Sequence, residues 1–257
     1  MVSQTTAVSG VPSPISGSSG SRSSPTGRRI ASAPSSGAGA VRRKPNRPGR
    51  RLLGFDRGLG ARFVAGADEA GRGSLAGPLV AAAVLLDLNR VGPAQARALG
   101  MLNDSKQQTP EGRAALYPVI LSIAARVSIV TRCAPGIDAR GLHKTNLAAL
   151  SDALNNVACE GCICLSDGFR VSGVAHEQRA VIGGDAKSAA IAAASVLAKE
   201  TRDRYMRRAD ATHPGWEFAT HVGYSTPEHR EAIERLGVSP LHRLSFQSTA
   251  YQQLALG

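Results

Sequence analysis

The first 55 residues show no apolar period. Ser, Gly, Pro and Arg dominate them and large apolar side chains are nearly absent. Such a segment cannot bury enough surface to offset its ordering entropy, so residues 1–55 are expected to be a disordered tail. Apolar patterning begins near Phe63. "FVAGADEA" reads as a strand and "PLVAAAVLLD" as a second one close behind. The gap between them is too short for a crossover helix, which predicts an antiparallel hairpin. Residues 109–125 suggest a helix, with Thr109 as its cap, Pro110 at the first position and Glu111 in the first turn. "ARVSIVTRC" is a strand-like run, and "LHKTNLAALSDALNNV" has helical spacing at Leu142, Leu147, Leu150 and Leu154. "CICLSDG" predicts a short strand ending in Asp167, and "RAVIGGD" another ending in Asp185. "AKSAAIAAASVLAKETRDRYMRRA" predicts a long helix whose alanines can pack closely on a sheet. Beyond about residue 208 the pattern mixes loops with one helix after Pro227.

Strands, helix, strand, helix, two strands and a helix argue for an α/β fold, a mixed β-sheet flanked by helices. The expected organisation is a tail (1–55), a catalytic α/β domain (62–208) and a small C-terminal helical region (209–251). No run of 18 or more apolar residues predicts a membrane span. The net charge of +12 is unevenly spread. Met1 to Arg51 hold nine basic residues and no acid, while the remaining 22 basic residues nearly balance 19 acidic ones. The tail suits a nonspecific basic arm, an organellar transit peptide or a misassigned start. The folded part is only mildly basic, which is compatible with a nucleic-acid partner without demanding one. Three of the four cysteines fall in "CEGCIC", but no second Cys/His pair stands at ligand spacing. Small reduced core residues in a cytoplasmic protein are the expectation for them.

Four acids stand out by position. Asp68 and Glu69 end the first predicted strand, Asp167 ends a later one before Gly168, and Asp185 follows Gly183 and Gly184. Acids at strand ends beside glycine turns can converge at one edge of an α/β sheet. Converging carboxylates repel one another unless protonated or bridged by cations. All-oxygen ligands select Mg²⁺ or Mn²⁺, and two such ions are a standard clamp for displacement at phosphorus. The plainer alternative is solvated or capping acids, with Asp185 capping the following helix. "GRGSLAG" formally matches a dinucleotide-binding loop, with Asp87 as its ribose acid. Pro78 and the immediate apolar strand leave no room for the helix that such a unit requires.

The motifs "DEAGRG", "NDSK" (103–106), "SDG" (166–168), "GGD" (183–185), "IAAASVLAKETRDR" (191–204), "GYST" (223–226) and "HRLSF" (242–246) together resemble the type 2 ribonuclease H family, ribonuclease HII. They occur in the family's order and cover about residues 63–246. The resemblance implies an RNase H-like fold and metal-dependent cleavage of the RNA strand of RNA–DNA hybrids. It also implies cleavage 5′ of single ribonucleotides in duplex DNA, leaving a 3′-hydroxyl. Asp68, Glu69, Asp167 and Asp185 match the family's catalytic, metal-holding acids. Gly71, Arg72 and Gly73 match the loop that reads the 2′-hydroxyl at the RNA–DNA junction, and Tyr224 the tyrosine that packs on the sugar beyond it. RNA is told from DNA by that hydroxyl, and glycines let backbone groups approach it. Lys106 is expected on phosphate. Lys199 and Arg202, three apart on the alanine-rich helix, are expected on phosphate or as a solvated face. His242 and Arg243 either order the site or touch the substrate.

Three positions depart from the family's usual pattern: Gln107 and Val222 where lysine is common, and Glu200 where an apolar residue is usual. Each is expected to weaken substrate affinity, with the basic tail compensating. The terminal "QQLALG" resembles peptides that bind bacterial sliding clamps, without their terminal aromatic. A monomer acting in ribonucleotide removal from DNA is the expectation. A type 3 enzyme, another RNase H-fold nuclease and a non-catalytic hybrid-binding protein are the alternatives.

Overall fold

The structure, a computed structural model, describes residues 48–102, 108–246 and 251. They include five strands: β1 (Phe63–Ala70), β2 (Leu79–Asp87), β3 (Arg126–Arg132), β4 (Cys162–Asp167) and β5 (Glu177–Val181). These form one sheet in the order β3-β2-β1-β4-β5. β1 and β2 make the expected antiparallel hairpin, β3 extends it antiparallel, and β4 and β5 continue parallel from β1.

The helices are α1 (Pro48–Gly58), α2 (Pro93–Ala98), α3 (Pro110–Ile123), α4 (Ala134–Arg140), α5 (Leu142–Val157), α6 (Ala189–Thr212), α7 (Phe218–His221) and α8 (Pro227–Leu236). α6 crosses β1 and β2 on one face with α1 and α3 beside it, and α5 covers the other face. The pleat of the hairpin divides the core. Val64, Val80, Ala82, Val84 and Leu86 pack toward α6; Ala65, Ala67, Ala81, Ala83 and Leu85 pack toward α5. α6 can lie close because six alanines between Ala189 and Ala198 are fully buried. At Gly66 a Cβ would stand 2.3 Å from the α6 backbone, so only glycine permits this approach.

Four details differ from the pattern-based expectation. The tail was expected to run to residue 55, yet α1 starts at Pro48 and buries Leu52 and Leu53. Its apolar signal spans barely one turn between arginines and is lost in the composition around it. β5 stops at Val181, and Asp185 sits in a 3₁₀ turn (Gly184–Ala186) reached through left-handed Gly183. Asp185 does not cap α6: Ser188 does, accepting from Ile191 N–H at 3.3 Å. α2, α4 and α7 were not foreseen, being too short for a periodic signal. Thr109 and Thr226 cap α3 and α8, where proline at the helix start marked both. α6 runs unbroken across the expected boundary at 208/209.

Cys162 and Cys164 are buried free thiols, as the core reading expected. Among the described residues no helix is long and apolar enough to cross a membrane.

α1 is tied to the core by a polar contact. Asp56 is fully buried, and its Oδ2 accepts from Ala190 N–H in the first turn of α6 at 3.0 Å. The helix dipole favours an anion there, while burial pushes the Asp56 carboxyl up to about 6. In denaturant unfolding Asp56→Ala is expected to lose about 1–2 kcal/mol. A chain starting at residue 59 should be less stable than one starting at 48. Equal stability of those two truncations would show that α1 contributes nothing to the core.

Candidate active site

Asp68 and Glu69 are consecutive on β1, so the pleat sends them to opposite faces. Asp68 turns toward α6 and hydrogen-bonds Ser195. Glu69 turns toward α5, where its Oε1 accepts from Asn146 Nδ2 at 3.2 Å. β4 runs parallel to β1 with Ala67 opposite Ser166, so Asp167 lies beside Asp68 at the carboxyl end of the strand pair. Asp167 Oδ1 accepts from Gly184 N–H at 2.6 Å, which anchors the turn carrying Asp185. All four acids therefore stand at the same end of the sheet, as the sequence suggested.

Two of them, Asp68 and Glu69, are held in surroundings that disfavour the charged form. Burial first, then the charges of Glu69 and Asp167, push Asp68 up to about 8 against the opposing Ser195 bond. Burial also raises Glu69; the Asn146 bond and the Arg72 guanidinium, 3.9 Å away, hold it down in part. Among the described residues no group of three or more His, Cys, Asp or Glu is gathered as a metal site. The pleat separates Asp68 from Glu69, and the backbone amide of Gly184 occupies one oxygen of Asp167.

The segment after β1 is organised by two buried arginines. Arg202 on α6 is fully buried and donates to Pro78 O (2.9 Å), Ala76 O (2.9 Å), Ser74 Oγ (2.8 Å) and Val222 O (2.8 Å). Arg243, also fully buried, donates twice to Gly77 O (3.1 and 2.9 Å) and once to Arg72 O (3.1 Å). Arg202 is thus neither a phosphate contact nor a solvated helix residue. The loop and the C-terminal segment close over it, and its guanidinium satisfies their carbonyls. Arg243 likewise orders the site. Gly71 has a related reason for being glycine: its φ is +84°, and a Cβ would fall 2.0 Å from Arg202 Nε. Gly73 has open space around it, and Arg72 is about half exposed.

Lys199 pairs with Asp203 at 2.9 Å and lies 5.0 Å from the centroid of the Tyr224 ring. Arg202 lies 5.1 Å from the same ring, which is half-buried. Glu200 is buried and accepts from Arg204 (2.8 Å) and Arg207 (3.3 Å), so it adds no unpaired negative charge to the surface. Val222 adopts left-handed φ of 45°, costly for a β-branched residue, and its carbonyl accepts from Arg202. Lys106, Gln107 and the terminal "QQLALG" fall outside the described residues. Ser195 and Asn146, which hold the first two acids, were not foreseen, because buried polar residues on amphipathic helices carry no distinguishing pattern.

The profile of the family described as Ribonuclease HII matches residues 65–249. The chain belongs to the ribonuclease HII family. It is accordingly an endonuclease of the ribonuclease H class. The ribonuclease HII of Mycobacterium tuberculosis is 48% identical over 189 residues, covering 74% of this chain and 69% of that protein. That of Rhodococcus erythropolis is 47% identical, covering 74% of this chain and 80% of that protein. Among solved structures, the ribonuclease H2 from Pyrococcus horikoshii OT3 superposes with a TM-score of 0.63 at 27% identity, covering 75% of this chain and 96% of that one. The fold is therefore the RNase H-like mixed sheet expected for the ribonuclease HII family.

The Asp68 shift has a stability consequence for the metal-free protein. Its folded value near 8 lies above the unfolded 3.8, so its contribution is full below about pH 4 and is lost as pH rises toward 8. With a chelator present, thermal midpoints should fall from pH 5 to 8, and Asp68→Asn should remove part of that slope. An unchanged slope in the variant would refute the assignment.

Proposed function

We propose that this chain cuts the RNA strand of RNA–DNA hybrids and the 5′ side of single ribonucleotides in duplex DNA, leaving a 3′-hydroxyl. The carrying observation is the adjacency of Asp68, Glu69 and Asp167 at the ends of β1 and β4, with the Asp185 turn anchored on Asp167, to the loop bearing Arg72, in a member of the ribonuclease HII family.

The donor set suits a hard divalent cation. It is made only of oxygens, and burial, with neighbouring carboxylate charge after it, holds two of its carboxyls high. Asn146 Oδ1, buried beside Glu69, adds an oxygen with no hydrogen-bond donor. In this reading Asp68, Glu69, Asp167 and Asp185 hold Mg²⁺ or Mn²⁺ in a two-ion site. When bound, such ions neutralise charge at the scissile phosphate and activate water. Ser195 and Asn146 orient the carboxylates of Asp68 and Glu69, and the Gly184 amide does so for Asp167.

Substrate recognition is assigned to Gly71, Arg72, Gly73 and Tyr224. Arg72 and Gly73 are exposed at a loop fixed from below by Arg202 and Arg243, so little ordering is left for binding. The Tyr224 ring offers an apolar face for a sugar, and Lys199 beside it adds positive charge near the strand. Lys106 completes the phosphate contacts in this reading. Because β1 leads directly into the loop, Asp68 and Glu69 share one rigid segment with Gly71, Arg72 and Gly73.

A DNA duplex with one embedded ribonucleotide, incubated with Mg²⁺ or Mn²⁺, should be cut 5′ of that ribonucleotide. Asp68→Asn should abolish cutting, and an all-DNA duplex should stay intact. Tight binding with no cutting under either metal would overturn the proposal in favour of a hybrid-binding protein.

A further inference from the structure

Tyr224 is held by a chain of imidazoles that the catalytic reading does not use. His229, on α8, and His242, which bridges to Ala76 of the loop, are both buried in the C-terminal segment. His229 Nδ1 lies 2.9 Å from Tyr224 O. A carbonyl can only accept, so Nδ1 carries the proton and Nε2 of the neutral ring is an acceptor. His242 Nε2 stands 3.1 Å from that acceptor and must therefore donate. His242 Nδ1 is then left to accept, and Ser239 N–H is 2.8 Å from it. Both ends of the chain are backbone groups of fixed polarity, so only one arrangement of protons satisfies every link.

A second imidazole grips the same backbone. Gly223 N–H donates to His221 Nδ1 at 3.1 Å, and His221 Nε2 donates to Trp216 O at 2.6 Å. The His221 and His229 rings stack with centroids 4.1 Å apart, and Phe218 sets its edge against both. Burial pushes His229 down to about 3 and His242 down to about 4, and lowers His221. The rings are neutral at ordinary pH, as the donor order requires.

The chain ends where displacement would matter. Tyr224 O also accepts from Thr226 N–H at 2.9 Å, and Gly223 O accepts from Leu75 N–H at 2.8 Å and Ala76 N–H at 3.2 Å. A shift of the Gly223–Tyr224 backbone would move the Tyr224 ring and pull on the loop that carries Arg72. From this geometry we infer that His229 and His242 are positioning residues, forming a fixed-tautomer relay that sets the Tyr224 ring for the ribonucleotide-bearing strand. The inference rests on the assignment of Tyr224 to substrate above.

The test uses the full chain and the single-ribonucleotide duplex, with kcat and KM measured for His229→Asn, His229→Gln and Tyr224→Ala. Asparagine can place an amide N–H where Nδ1 stands and keep the bond to Tyr224 O. Glutamine reaches toward Nε2 and loses it. His229→Gln should lower kcat about tenfold with KM nearly unchanged, and His229→Asn should recover most of that loss. In a Tyr224→Ala background His229→Gln should cost nothing further, because the relay acts through that residue. Equal behaviour of the Asn and Gln variants would overturn the relay. A defective Tyr224→Ala with a wild-type-like His229→Gln would overturn the relay alone. Wild-type-like activity in both would sink the Tyr224 assignment and the inference together. Nitrogen NMR of the histidines in the unmutated protein is independent of variant folding. It should find the proton on Nδ1 of His229 and on Nε2 of His242, and the opposite tautomers would refute the inference.

Discussion

The buried guanidinium of Arg202 is the interaction on which the site depends. A charge removed from water is tolerated only when its donors are paired, and here four acceptors from two distant segments pair them. The segments are Ser74–Pro78, which follows β1, and Val222, which lies just before Gly223 and Tyr224. Neither segment could present inward-facing carbonyls at this depth without a donor between them. The arginine and the loop are thus mutually required, and Gly71 completes the fit by leaving room for the Arg202 side chain. Lysine could not substitute, since a single ammonium has neither the reach nor the planar fork to serve these acceptors together. Arg243 repeats the principle one layer further out, on Gly77 and Arg72.

The acids obey a different constraint. Strand pleating forces two consecutive carboxyls apart, so each is stabilised by a different helix: Ser195 of α6 for Asp68, Asn146 of α5 for Glu69. The sheet is therefore more than a platform. Its two faces hold the two adjacent acids separately, and the neighbouring parallel strand brings Asp167 to the same end. Burial first, and the neighbouring carboxylate charges after it, raise Asp68 and Glu69, which is why the chemistry of the proposed site points to an added positive charge.

The legible parts of the sequence were those with strong local grammar. The hairpin followed from two apolar runs too close for a crossover, α3 from a threonine cap followed by proline, and α8 from Pro227 at its start. Asp68, Glu69 and Asp167 could be picked out by their place at strand ends beside glycines, and the order of the motifs assigned the family. Where meaning is set by distant partners, the sequence was silent. Arg202 looks like any helix-surface arginine until Val222 and Pro78 are folded onto it. Glu200 looks like an exposed charge until Arg204 and Arg207 close over it. α1 was missed because two leucines among arginines make no period, although Asp56 docks it on the start of α6. Asp185 was given to a strand because "GGD" hides a left-handed turn that only the structure resolves.

These constraints bear on how a nuclease could find one ribonucleotide among many deoxyribonucleotides. A mobile recognition loop would lose ordering entropy at each encounter, and that loss would fall equally on right and wrong sites. Here the loop is bonded to two arginines, to the Gly223 carbonyl and, through it, to the backbone that carries Tyr224. Discrimination in the proposed mechanism then comes from fit to a preset surface, since the absence of one hydroxyl leaves a preset contact unmade. The left-handed Val222 fits the same logic. A backbone strained at that residue persists because Arg202 holds its carbonyl and His221 holds the next amide, and both bonds serve to keep Tyr224 where it is.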